Sequence, residues 1–264
     1  MTTWSGAEEE ASPSSNCPIC KGAGFVHPRL PSGKPDYSRV IACRCVQKEL
    51  DKERQNRLQR YSGLEQELLR NMTFANFDWK RVHLLPEQQE NLEEAYRLAL
   101  DFAKSPDGWL VLLGVTGCGK THLAAAIANY RLKEEKPVKF VVVPDFLDHL
   151  RSTFSPESTV SYDQLFEEVK NAPLLILDDF GEQSTTPWAQ EKLYQIINYR
   201  YNARLATVIT TRLTTDEMAS PIASRFFDHQ FSLVFNIIAP DYRTDATANR
   251  KKITRGDRKG RRSH

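Results

Sequence analysis

The 264 residues are 40% hydrophobic and 27% charged, values of a globular chain long enough for one sizeable α/β domain and a small appendage. No apolar run approaches the roughly 18 residues that span a bilayer, and the polar, Glu-bearing residues 1–16 exclude an ordinary signal peptide. A cytoplasmic protein with no membrane partner is therefore expected. The net charge of +2 is uneven: residues 250–264 carry +7, which leaves a mildly acidic body of −5 ahead of a strongly basic tail.

Residues 1–16, built of Ser, Glu, Pro and Thr, read as disordered. Residues 17–46 hold four of the five cysteines, as Cys17-Pro18-Ile19-Cys20 and Cys43-Arg44-Cys45. In a cytosolic chain such cysteines point to metal binding or plain thiols, not disulfides. A C-x-x-C turn with a later C-x-C supplies four thiolates for a tetrahedral structural Zn²⁺. The glycines after Cys20 permit the tight turn that brings backbone N–H groups to sulfur. About thirty residues cannot build a core of their own, so metal would supply the folding energy, roughly 10–16 kcal/mol in zinc-finger peptides. His27 is the substitute ligand should one cysteine fail. Residues 47–72 are highly charged, and Val46, Leu50, Leu58, Tyr61, Leu64 and Leu68 fall mostly at three- and four-residue steps, which predicts a helical linker.

A larger domain, residues 73–243, opens near Thr73-Phe74. A helix begins at Pro86, buries Leu92, Ala95, Ala99 and Phe102, and stops at Ser105-Pro106. The apolar run Trp109-Leu110-Val111-Leu112-Leu113 predicts a buried strand, and Leu123, Ala124, Ile127 and Ala128 recur at helical spacing. Between them stands Gly114-Val115-Thr116-Gly117-Cys118-Gly119-Lys120-Thr121, a complete G-x-x-x-x-G-K-S/T phosphate-binding loop in its strand–turn–helix setting. Its backbone N–H groups and the helix N-terminus suit phosphate oxygens. Lys120 is assigned to the β- and γ-phosphates and the Thr121 hydroxyl to Mg²⁺. Gly114, Thr116, Gly117, Cys118, Gly119 and His122 complete the candidate ATP-contacting set, with the Cys118 thiol a spectator.

Further strands are predicted at 138–143, 174–177 and 207–211, alternating with helices at 145–151, 162–170 and 188–201. That alternation predicts a parallel sheet covered on both faces; there is no internal repeat. Leu174-Leu175-Ile176-Leu177-Asp178-Asp179 ends a buried strand in paired acids, at the sheet edge where open α/β folds bind ligands. Asp178 is assigned to the Mg²⁺ shell, and Asp179 to orienting or deprotonating the attacking water.

With these motifs, the chain resembles the AAA+ ATPases, and within them the helicase loaders of the DnaC/DnaI type and their transposase-helper relative, IstB. The resemblance covers about residues 73–243. It rests on Thr73-Phe74-Ala75-Asn76-Phe77, the 174–181 segment Leu-Leu-Ile-Leu-Asp-Asp-Phe-Gly, Thr-Val-Ile-Thr-Thr at 207–211, Ile-Ala-Ser-Arg-Phe at 222–226 and Asp-Tyr-Arg at 241–243. It implies that Arg225 is an arginine finger supplied in trans, so that hydrolysis requires a homo-oligomer, and that Arg243 is a sensor-2 arginine contacting nucleotide in cis. The chain departs from the family where an Asn usually follows the fourth strand; here it reads Thr210-Thr211-Arg212. Either Thr210 or Thr211 takes over the γ-phosphate contact, or sensing is weakened and hydrolysis is slow.

The resemblance also implies an N-terminal zinc module that grips a hexameric replicative helicase, as in DnaI-type loaders, and single-stranded DNA as a ligand. The DNA-binding region of such relatives holds Phe146, Arg151, Phe154 and Tyr162 here; Phe146 and Phe154 are expected in the core of their helix. The tail, residues 244–264, is expected to be disordered and offers sequence-independent attraction for phosphates. Any helical lid after Arg243 is expected to be abbreviated. The function expected is ATP-dependent delivery of a replicative helicase onto single-stranded DNA. An IstB-like helper acting on duplex DNA and a non-hydrolysing ATP-sensing adaptor are the alternatives. A P-loop GTPase is disfavoured by the lack of an Asn-Lys-x-Asp run, and a small-molecule kinase by the paired acids and Ser224-Arg225.

Overall fold

The computed structural model describes residues 17–81, 84–155, 161–181, 186–213, 217 and 220–243; the stretches 1–16 and 244–264, read as disordered, lie outside them. The chain divides into two compact units, Met1–Arg57 and Leu58–His264. In the first, β1 (Phe25–Val26) pairs antiparallel with β2 (Ile41–Ala42), and helix α1 (Arg44–Ser62) begins directly after them. Donation from the Cys43 N–H to Gly24 O at 2.7 Å ties the two cysteine pairs together.

Gly63 ends α1. Its φ of +75° lies in the left-handed region, and a Cβ there would fall 2.5 Å from Phe140 O, so glycine alone fits. The continuous helix predicted to about residue 72 is therefore two helices, the second being α2 (Glu67–Asn71). The break changes which side chains are covered: Leu64 and Leu69 are buried in the core of the second unit, while Leu68 is 67% exposed.

Five parallel strands form the sheet of the second unit. They are β3 (Trp109–Gly114), β4 (Lys139–Val142), β5 (Leu175–Phe180), β6 (Thr207–Thr211) and β7 (Ser232–Ile237), in the order β4-β5-β6-β3-β7. Alternate residues of each strand point to opposite faces. Leu110, Leu112, Ile176 and Val208 join one core with α3 (Pro86–Lys104) and α4 (Lys120–Lys133). Trp109, Val111, Leu175, Leu177 and Ile209 join a second core with α5 (Val143–Ser152), α6 (Tyr162–Lys170), α7 (Pro187–Asn202) and α8 (Ser220–Phe226). A sheet buried on both faces explains why its strands read as near-continuous apolar runs. The Thr186 hydroxyl caps α7 by accepting from Ala189 N at 3.3 Å, with Pro187 in the first turn.

Strand β7 and helix α8 were not among the predicted elements. β7 is a sheet edge whose inner residues Leu233 and Asn236 are exposed, so its apolar pattern is diluted. Phe154 also departs from expectation: it lies two residues past the end of α5 and is 63% exposed, whereas Phe146 on α5 is buried.

Candidate functional site

The C-terminal edge of the sheet brings the candidate residues together. Leu113 of β3 pairs with Thr211 of β6, and Phe180 of β5 also pairs with Thr211, so the phosphate loop, the paired acids and the end of β6 converge. The Lys120 ammonium donates to Gly114 O at 2.7 Å and Val115 O at 2.8 Å, and lies 3.8 Å from Cys118 Sγ. Burial lowers its pKa, and the carboxylates of Asp179 and Asp178 oppose that shift. The Cys118 side chain is fully buried. Gly117 has φ +73°, a left-handed conformation that favours glycine, and a Cβ there would meet the Asp241 carboxylate.

Asp178 is held from two sides. Thr121 Oγ1 donates to both carboxylate oxygens at 3.0 Å, and Thr210 Oγ1 donates to Oδ1 at 2.6 Å. Burial raises its pKa, while the Thr210 and Thr121 hydrogen bonds pull it back. A hydroxyl and a carboxylate at this spacing are oxygen donors of the kind Mg²⁺ takes, so the pair predicted from sequence does meet. The register shifts between Leu177 and Phe180, inserting one residue into β5. Asp179 sits in that bulge with φ +58°, a left-handed conformation costing about 1–3 kcal/mol outside glycine. Its N–H donates to Thr210 Oγ1 at 3.0 Å, which holds the strained residue in place.

A cavity of about 190 Å³ adjoins the loop, lined by Phe77, Asp78 and Arg81 on one side, Lys120, Thr121 and His122 on another, and Tyr242 and Arg243 on a third. His122 Nε2 lies 3.0 Å from Thr73 O and 3.1 Å from Asn76 Oδ1, which ties the Thr73–Phe77 segment to the first turn of α4. The Asp-Tyr-Arg segment is pinned by donation from Tyr242 N to Gly117 O at 3.0 Å, placing Arg243 on the cavity wall. The Arg81 guanidinium lies 4.6 Å from the Tyr242 ring and donates to Pro240 O at 3.0 Å. Sequence reasoning missed Arg81, because nothing local couples it to a segment 159 residues away.

Arg225 makes its contacts on α7 and α8: it donates to Asn198 Oδ1 at 2.6 Å and to Pro221 O, with its guanidinium 5.1 Å from the Tyr194 ring. The threonines expected at the γ-phosphate are both engaged within the sheet. Thr210 braces the acids, and Thr211 Oγ1 donates to Phe180 O at 2.7 Å while accepting from Leu213 N.

In the first unit, the ligand atoms of Cys17, Cys20, Cys43 and Cys45 all lie within 4.8 Å of one another. The Sγ atoms of Cys17 and Cys43 are 3.7 Å apart, and those of Cys20 and Cys45 3.5 Å. A tetrahedron with Zn–S of about 2.3 Å has edges of about 3.8 Å, so the cluster fits the ion. Backbone N–H groups of Cys20 and Ile19 hold the Cys17 thiol down at about 6, while burial pushes Cys45 up to about 12. His27 stands outside the cluster, with Nδ1 2.8 Å from Arg39 O.

This architecture, a parallel sheet in the order β4-β5-β6-β3-β7 with a complete phosphate loop facing paired acids, defines a P-loop nucleotide-binding domain of the AAA+ fold. The chain belongs to the IstB-like ATP binding protein family, whose pattern matches residues 37–228. It is 29% identical over 167 residues to the replicative helicase loader DnaC of Buchnera aphidicola subsp. Acyrthosiphon pisum, a match covering 63% of this chain and 65% of that one. It is 28% identical over 229 residues to the replicative helicase loader DnaI of Bacillus subtilis, covering 78% and 67%. Among solved structures, domain III of the Thermotoga maritima replication initiation protein DnaA is similar with a TM-score of 0.53 and 26% identity, covering 71% and 75%. The matched region thus spans about two thirds of the length of these curated relatives. Among the described residues, no helix is long and apolar enough to cross a membrane.

Proposed function

We propose that the chain is an ATP-dependent loader that delivers a hexameric replicative helicase onto single-stranded DNA in the cytoplasm, and that it hydrolyses ATP slowly. The observation that carries this reading is the pairing of two sites in one chain: a phosphate loop meeting Asp178 through Thr121, and a four-cysteine cluster of zinc dimensions ahead of it. Similarity to DnaI over 229 residues takes in more than the ATP-binding core and supports the same reading.

In this mechanism the adenine enters the cavity beside Phe77, His122 and Tyr242, and Lys120 neutralises the β- and γ-phosphates. Thr121 and Asp178 would hold Mg²⁺, which supplies charge neutralisation of the polyphosphate. Asp179, fixed in the β5 bulge by Thr210, orients the attacking water. Arg225 serves the nucleotide of a neighbouring copy, making hydrolysis dependent on homo-oligomer assembly, and Arg243 contacts nucleotide in cis. Cys17, Cys20, Cys43 and Cys45 would hold Zn²⁺, which fixes the fold of the module that grips the helicase. Single-stranded DNA lies along the turn after α5. There the exposed Phe154 ring stacks on Tyr162 at 5.5 Å, and the Arg151 guanidinium lies 5.2 Å from the Trp188 ring. Rings and a cation of this kind suit stacked bases and phosphate.

Native mass spectrometry of the full chain with the replicative helicase of its own host tests this reading. The expected result is one bound zinc per chain and a stoichiometric complex that changes with ATP and is lost in Cys43→Ser. No complex in any nucleotide state, together with ATP-dependent binding of duplex DNA, would transfer the assignment to a transposase helper.

A further inference from the structure

We propose that His122 is the residue by which this chain reads the nucleobase, its ring Nδ1 accepting a hydrogen bond from the 6-amino group of adenine. The proposal rests on the reading of residues 114–121 as the nucleotide site and of the adjoining cavity as the place of the base. His122 stands in the first turn of α4, directly after Thr121, so a base held there and phosphates held by the loop can belong to one ligand. The two parts are contiguous. A Cβ at Gly119 would lie 3.0 Å from the Phe77 ring, and the Phe77 and His122 rings meet edge to face with centroids 5.1 Å apart.

The hydrogen bonds at the other ring nitrogen fix the tautomer. Nε2 lies 3.0 Å from Thr73 O, a carbonyl that can only accept. It also lies 3.1 Å from Asn76 Oδ1. That atom is the oxygen of the amide, since it accepts from the Thr73 N–H at 2.8 Å while the amide nitrogen donates to Asn71 O. Between two acceptors Nε2 must carry the proton, so the neutral ring keeps its lone pair on Nδ1. An ordinary imidazole is neutral above about pH 7. Burial lowers the pKa of this one against the pull of the Thr73 hydrogen bond, and the Arg81 charge lowers it too. Among the described residues Nδ1 has no hydrogen-bond partner, and the ring lines the cavity with Phe77 and Tyr242.

An acceptor with no donor capacity separates purines by their 6-substituent. Adenine presents an amino group there, which donates; guanine and hypoxanthine present a carbonyl oxygen, which accepts. Two acceptors brought face to face are both left without a proton, which costs more than the missing bond alone. Other groups on the wall do not make this distinction. The Phe77 and Tyr242 rings suit the face of any purine, and the Asp78 carboxylate suits the 2-amino group of guanine as well as the amine of adenine. Base selection and phosphate binding therefore sit on one turn of helix, with Lys120 and Thr121 serving the phosphates and His122 the base.

The test is the equilibrium affinity of the full chain, at pH 8 and with Mg²⁺, for three nucleoside diphosphates that differ at the 6-position. They are ADP, inosine diphosphate with a carbonyl there, and purine riboside diphosphate with hydrogen. Inosine replaces guanosine so that no 2-amino group reaches Asp78. Wild type is expected to bind ADP about 3- to 10-fold tighter than the purine riboside, the range of one neutral hydrogen bond, and about 10- to 100-fold tighter than the inosine nucleotide. His122→Phe keeps a ring against Phe77 and removes both nitrogens, so its ADP and inosine affinities are expected to agree within about threefold. Equal binding of ADP and inosine diphosphate by the wild type would overturn the assignment, and that comparison needs no variant to fold. A wild-type preference retained in folded His122→Phe would also overturn it. Failure of the wild type to bind any of the three would overturn the nucleotide-site reading itself and the proposal with it.

Discussion

Thr210 shows how one hydroxyl can organise two acids. It donates to Asp178 and accepts from the backbone N–H of Asp179, so it positions together the carboxylate proposed to hold Mg²⁺ and the strained residue proposed to orient water. Thr210→Val removes both bonds at nearly constant volume. ATP turnover is expected to fall by about 10- to 100-fold with ATP affinity within about threefold, because the loss falls on orientation and not on phosphate binding. Thr210→Ser should restore most of the turnover. Equal turnover in wild type and Thr210→Val would show that the acids hold their geometry without the brace. The phosphate loop, Asp178 and Asp179 were legible in the sequence because their chemistry is written in contiguous residues. The bracing by Thr210 was not, because it depends on the β5–β6 register, which joins residues more than thirty positions apart.

Among the elements, α7 is anchored by a side chain that reads in sequence as an ordinary solvated charge. Arg200 is fully buried and donates to Thr207 Oγ1 at 2.9 Å, Lys170 O at 3.0 Å, Ala172 O at 2.8 Å and Ala206 O at 2.6 Å. Burial pulls its pKa down to about 10, which leaves it charged at neutral pH, and the four oxygens offset the cost of burying that charge. Arg200→Met fills the volume but strands those acceptors. Chemical denaturation should register a loss of about 3 kcal/mol; a loss below about 1 kcal/mol would mean that water replaces the guanidinium. The predicted strands at 109–113, 138–143, 174–177 and 207–211 lie within two or three residues of the observed ones, since a strand covered on both faces must be apolar throughout. β7 escaped because an edge strand need not be. The helix break was marked only by Gly63, whose meaning depends on the close approach of Phe140 O.

At the scale of the whole molecule, one compact unit carries a cysteine cluster of zinc dimensions and the other carries the phosphate loop and the paired acids. The C-x-x-C and C-x-C spacing made the cluster legible before any geometry was known, and the sulfur separations agree with it. The aromatic turn after α5 was legible only in part: its residues were identified, but Phe154 was expected inside and stands outside. The central claim is that ATP bound at Lys120 drives helicase onto single-stranded DNA. A loading assay tests it most directly, measuring unwinding by the host's hexameric helicase on a forked circle coated with single-strand-binding protein. The account predicts unwinding with wild-type protein and ATP, and near-background unwinding with Lys120→Ala or without nucleotide. Equal unwinding by wild type and Lys120→Ala would contradict it.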